Sequence, residues 1–147
     1  MNVTKTTRPI QKKEQVRNWY VIDAKGARLG KLATQTASLL IGKHKVTRTN
    51  TFDNGDSVII INAGQVDVFY KKLTQKKYYR HSGYMGSTKV ETLGHVLEVK
   101  PQLAIRKAVW GMLPQNRMGK KLLSNLFIYN SADHKHEAQQ PKLIVIK

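Results

Sequence analysis

Val58-Ile59-Ile60-Ile61 places four β-branched aliphatic residues in a row. A strand of alternating character can leave one face wet, but an unbroken apolar run needs cover on both faces. The neighbouring segments suit that demand. Trp19-Tyr20-Val21-Ile22 is a second strand-type stretch, rich in aromatic and β-branched side chains. Between the two, Leu29, Leu32, Ala33, Thr36, Ala37, Leu39, Leu40 and Ile41 recur at helical spacing, and Gly42 supplies a stop. Strand alternating with helix predicts a compact α/β domain with a small, mainly parallel sheet.

The rest of the chain extends the pattern. Residues 43–57 are polar and basic, and Asp53-Asn54-Gly55-Asp56 is turn chemistry before the central strand. Val66, Val68 and Phe69 predict a further short strand. Residues 71–90 read as a basic projecting loop or extension. Helices are expected over 92–99, from Pro101 to Trp110 and over 117–125, with Pro101 suited to a first helical turn. Leu126-Phe127-Ile128-Tyr129 reads as the last core strand, and Leu143-Ile144-Val145-Ile146 as a tail that covers an edge or packs on the body. The expected organisation is a basic arm over 1–18 and one domain over 19–147.

Charge sets the partner class. The 26 Lys and Arg residues outweigh 9 Asp and Glu, a formal net charge of +17. Such an excess opposes a compact fold unless a polyanion neutralises it, and nucleic acid does so while releasing counterions. A generally basic protein and a membrane-bound one are the competing readings. There is no cysteine, which removes disulfides, thiolate chemistry and cysteine-ligated zinc. No apolar run reaches membrane-spanning length and no secretory signal is recognisable, so a soluble, intracellular protein without a membrane partner is expected.

The cations are concentrated. The arm holds Lys5, Arg8, Lys12, Lys13 and Arg17, and reads either as a solvated tail or as a segment that orders on RNA. Lys43, Lys45 and Arg48, with His44, form a shorter patch. A second tract holds Lys71, Lys72, Lys76, Lys77, Arg80 and Lys89, with no acid between Asp67 and Glu91. Tyr78, Tyr79, His81 and Tyr84 are interleaved with these cations. Lysine and arginine suit phosphates, and aromatic rings stack on exposed bases. The tyrosines have a second reading, as anchors of the loop to the body. A third tract holds Lys100, Arg106, Lys107, Arg117, Lys120 and Lys121, acid-free between Glu98 and Asp133. Its helical cations are either a solvated face or phosphate contacts.

Catalysis is the weaker reading. Asp53 and Asp56 could hold a hard cation, as in a metal-dependent nuclease, yet their Asn-Gly spacing is better explained as a turn. His134 and His136 could share a metal on an extended chain, but no further ligand is defined, and packing or RNA contact is preferred. Neither a nucleophile elbow nor a phosphate-binding loop is present, and no cofactor or metal is expected. Non-specific DNA binding competes more strongly. The aromatic extension and the lack of a clear helix-turn-helix favour folded RNA.

A series of short matches then resembles one family across nearly the whole chain. It runs through Trp19, Asp23-Ala24, Leu29-Gly30-Lys31-Leu32-Ala33, Gly42-Lys43-His44-Lys45, Asp53, Gly55-Asp56 and Ile61-Asn62-Ala63. It continues through Lys76, Tyr78-Tyr79, His81-Ser82-Gly83, Gly111-Met112-Leu113-Pro114, Gly119, His134, His136 and Ala138-Gln139-Gln140-Pro141. In order and separation these are similar to bacterial large-subunit ribosomal protein L13. The resemblance implies a three-layer α/β/α domain with a four-stranded parallel sheet. It also implies a non-catalytic constituent of the large ribosomal subunit, bound to large-subunit rRNA from early assembly beside neighbouring ribosomal proteins. Some relatives repress their own message, so an extra-ribosomal mRNA-binding regulator is the alternative role. A cytoplasmic ribosome is expected, and an organelle ribosome stays open. The chain departs from the family at Arg48-Thr49-Asn50 (usually Tyr-Thr-Pro), at Phe69-Tyr70 (usually Thr-Gly) and at Gly86-Ser87 (often Gly-Gly). Phe69-Tyr70 is expected to pack more heavily than the residues it replaces, and Arg48 to exchange an aromatic contact for a phosphate one.

Overall fold

The computed structural model describes residues 15–145. Strand β1 (Trp19–Asp23) leads through helix α1 (Leu29–Ile41) to β2 (Ser57–Ile61). Helix α2 (Tyr70–Gln75) and an antiparallel hairpin, β3 (Lys77–His81) with β4 (Thr88–Thr92), come next. Helices α3 (Leu93–Val99), α4 (Pro101–Met112) and α5 (Arg117–Leu123) precede β5 (Leu126–Ile128) and β6 (Lys142–Ile144). The main sheet has the order β5-β2-β1-β6 and every pairing in it is parallel. The expected α/β class and four-stranded sheet are therefore present, with the apolar β2 at an inner position.

Alternation along the strands divides the sheet into two faces. Ile22, Val58, Ile60 and Leu126 join one buried cluster with Leu32, Ala33, Ala37 and Leu40 of α1, Ile105 and Val109 of α4, and Leu122 of α5. Trp19, Val21, Ile59 and Phe127 project from the other face. There His136 closes over the Trp19 and Phe127 rings, with centroids 5.1 and 4.5 Å away. His136 lies just ahead of a 3-10 turn at Glu137–Gln139. Ile59 is fully buried, as the unbroken apolar run requires.

Two close approaches hold the body together. Gly42 ends α1 at φ 73°, and its N–H donates to Leu39 O. The 53–56 loop then lies directly on that helix end. Asp56 N–H donates to Leu39 O at 3.2 Å, and a Cβ on Gly55 would stand 1.7 Å from Leu40 O. At α5, Asn116 Oδ1 accepts from Gly119 N–H at 2.9 Å, and a Cβ on Gly119 would stand 1.8 Å from Pro114 O. Both glycines are there because only hydrogen fits against a backbone carbonyl.

Three expectations change. Residues 66–69 form no strand: Asp67 makes one isolated bridge to Arg28, and the chain turns into α2. Phe69 and Tyr70 do not pack but stand 67% and 79% exposed, since the short α2 has no buried face to receive them. The 71–90 extension is ordered as α2 and the hairpin. Its tip is closed by Ser87, whose hydroxyl accepts from Ser82 Oγ at 2.6 Å and donates to Tyr84 O at 2.7 Å. The tail behaves as expected, with β6 covering the free edge of β1.

Candidate nucleic-acid interface

The cations fall into two populations, distinguished by what they touch. One population is held internally, around the buried pair Asp53 and Asp56. Arg17 bridges Asp53 Oδ2 and Asn125 Oδ1, each at 2.9 Å. Lys45 Nζ donates to Asp56 Oδ1 at 2.6 Å and to Val16 O at 2.8 Å. His44 Nε2 lies 2.8 Å from Asp56 Oδ2, an atom with no other partner among the described residues. Gln15 Nε2 donates to Asp53 O, and Asn18 N–H to Asp56 Oδ1. Residues 15–18 are thus tied in succession to the loop under α1. Lys5, Arg8, Lys12 and Lys13 lie outside the described residues.

Such an arrangement offers Asp53 and Asp56 no vacancy for a catalytic metal: their oxygens already face cations and N–H donors. Among the described residues no group of three or more potential His, Asp or Glu ligands comes together. The His134–His136 pair is likewise engaged locally. His136 Nε2 meets Tyr129 Oη at 3.0 Å, and His136 N–H donates to His134 Nδ1 at 3.3 Å.

The second population is exposed. Lys71, Lys72, Lys76, Lys77, Arg80 and Lys89 stand on α2 and the hairpin, and Lys43 and Arg48 on the loop after α1. Arg48 reaches only Asn50, at 3.2 Å. Arg106, Lys107, Arg117, Lys120 and Lys121 are exposed on α4 and α5. None of these takes part in an ion pair among the described residues, where Arg17, His44 and Lys45 provide all three. Neither α4 nor α5 carries an acid in its first turn.

Hairpin register separates the two tyrosines. Tyr78 opposes Glu91 and Tyr79 opposes Val90, so adjacent rings point to opposite sides. Tyr78 joins the small cluster of Leu93, Val96 and Ala104 and anchors the hairpin to α3 and α4. Burial raises its phenol pKa. The ring therefore stays neutral, with Lys107 Nζ 4.3 Å and Lys76 Nζ 5.8 Å from its centroid. Tyr79 faces outward at 68% exposure. Lys77 and His81, two residues to either side, share its face. The Tyr78–Lys107 contact also joins the second and third basic tracts, which are separate in sequence. One acid-poor surface results, with an exposed ring among cations.

A family model for ribosomal protein L13 matches residues 17–135. The chain belongs to the ribosomal protein L13 family. It is 50% identical over 131 residues to large ribosomal subunit protein uL13 of Synechococcus elongatus, covering 89% of this chain and 87% of that one. The uL13 protein of Chloroflexus aggregans is 52% identical over 133 residues, covering 90% and 93%. That of Geobacter sulfurreducens is 44% identical over 142 residues, covering 97% and 99%. Within the L13 pattern of this chain, Gly42, His44, Lys45, Asp53, Gly55 and Asp56 are one packed latch. The Tyr78-Tyr79 pair divides into anchor and exposed ring.

Proposed function

We propose that this chain is a structural protein of the large ribosomal subunit that binds and positions large-subunit rRNA during assembly, by charge neutralisation rather than bond chemistry. The observation that carries the reading is the exposed, acid-poor surface of the hairpin, α4 and α5 on a body belonging to the L13 family. Lysines there neutralise phosphates, the arginines grip them with paired donors, and Tyr79 with His81 offers stacking area. Lys43 and Arg48 are further exposed cations of this reading, and Lys5, Arg8, Lys12 and Lys13 of the arm belong to it by their charge. Arg17, His44 and Lys45 act one step removed, by fixing the arm's root. His134 and His136 shape the covered face of the sheet. Neighbouring subunit proteins and the protein's own message are further partners of this reading, and the ribosome is its place of action.

Footprinting on purified large-subunit rRNA, with Lys76, Lys77 and Arg80 changed together to alanine, provides the test. These side chains are exposed, so the fold survives. Affinity falls, and the slope of log affinity against log salt flattens by about 2–3. Protections confined to the hairpin site disappear. Unchanged affinity, slope and footprint would remove this tract from the interface.

A further inference from the structure

A trough runs along α4 beside the proposed rRNA surface, and its chemistry is not that of a phosphate cradle alone. At one end, the body-facing side of the hairpin and the α3–α4 corner enclose a cavity of about 150 Å³. A volume of about that size admits one six-membered aromatic ring. Its walls include Tyr78, Val96 and Leu103. Val99, Lys100 and Leu103 border both this cavity and a wider depression of about 390 Å³ that reaches Ile128 and Asn130 at the end of β5. Val99 is 59% exposed, an apolar side chain on the divide between the two.

Charge is distributed unevenly along this trough. Arg80, Lys100 and Lys107 border the cavity, and Lys100 and Arg106 the depression. The one acid among the lining residues is Glu91, exposed at the cavity and with no ion-pair partner among the described residues. A phosphate entering there would meet a carboxylate beside the three cations, and only a donor group satisfies the carboxylate. A base edge bearing an amino group would find an acceptor there, with Arg80, Lys100 and Lys107 on the same walls to take the flanking phosphates. Gln102 and Asn130 add amide groups in the depression, suited to the edges of the next nucleotide.

We propose that this trough holds an unpaired RNA strand, with a cytosine in the cavity donating its amino group to Glu91. The inference rests on the RNA-binding reading above and adds a ligand class and a base preference to it. Cavity size favours a pyrimidine. Between the two pyrimidines, cytosine presents an amino donor, whereas the uracil imino donor lies between two carbonyl oxygens that repel a carboxylate. The apolar walls take the ring faces, as in other single-strand sites.

Fluorescence anisotropy with the full chain, comparing short oligocytidylate and oligouridylate of equal length, tests the proposal. The parent chain binds the cytosine strand about tenfold more tightly. Glu91→Gln, an exposed and isosteric change, brings the two affinities to within about twofold, because an amide both donates and accepts. Lys100→Ala with Arg106→Ala weakens both strands equally and flattens their salt dependence. Equal binding of the two strands by the parent chain, or a preference that survives in Glu91→Gln, overturns the inference. Association of the parent chain with large-subunit rRNA is measured alongside. Its absence overturns the ribosomal reading and this inference together, whereas its presence with equal binding of both strands overturns the inference alone.

Discussion

Replacing Gly55 with alanine lowers the melting temperature by about 10 °C, a loss of about 3 kcal/mol or more. The new Cβ would stand 1.7 Å from the carbonyl oxygen of Leu40, in the last turn of α1. That oxygen belongs to backbone and cannot turn aside as a side chain would. Relief requires the 53–56 loop to lift, and lifting breaks the Asp56 N–H bond to Leu39 O and withdraws both acids from their cations. Gly30→Ala is the matched control. Its Cβ has nothing within 4 Å and it lies inside α1. Alanine there, in the first turn, leaves stability unchanged or raises it by up to about 0.5 kcal/mol through helix propensity. Thermal unfolding of the two variants side by side decides the matter. Equal melting temperatures would show that the loop does not sit against the helix as described.

The second large effect is at Asp56. Asp56→Ala removes the acceptor of Lys45, of the Asn18 N–H and of His44 in a single step. Breaking a buried charge pair by deleting one partner costs about 3–5 kcal/mol, chiefly because the remaining groups stay desolvated without a partner. Lys45, with its side chain only 14% exposed, is the group most affected. Urea denaturation should show a lower midpoint with little change in slope. Asp56→Asn keeps an oxygen for the Asn18 N–H and loses less. Proteolysis near residues 15–18 should also accelerate, since the arm's root is held there. A variant as stable as the parent, with the arm equally protected, would contradict the latch.

Much of the architecture was legible from periodicity. Helices α1 and α4 have an apolar side matching the helical period, and β2 an unbroken apolar run, because one side of each helix and both faces of that strand are buried. The Gly42 stop was legible for the same local reason. The hairpin was not. Lys77-Tyr78-Tyr79-Arg80-His81 shows no alternation of apolar and polar residues, and only Tyr78 is substantially covered. Its partner strand lies beyond a glycine-bearing tip that reads equally well as loop.

The split of the cations was hidden for a different reason. Arg17 meets Asp53 and Asn125 across sequence separations of 36 and 108 residues, and composition cannot announce a pairing at such distances. His44 and Lys45 lie in a tract that looks like any other basic patch until Asp56 is placed beneath it. A signal was nonetheless present. Glycine and aspartate recurring beside a helix stop mark a tight backbone approach with buried acceptors, which calls for cations close by. Phe69 and Tyr70 show the opposite limit: large rings suggest burial only where an element offers a face to bury them.

The edge of β1 is sealed by β6, the last described strand, although β1 itself is the first. During synthesis the opening strand therefore emerges long before the segment that completes its ladder. Until then its outer N–H and C=O groups can pair with any passing extended chain. A nascent polypeptide of this topology completes the β1 ladder only after more than a hundred further residues have been made, a non-local pairing of the kind that slows folding. The strand order thus leaves the opening strand with an unpaired edge for most of the chain's synthesis.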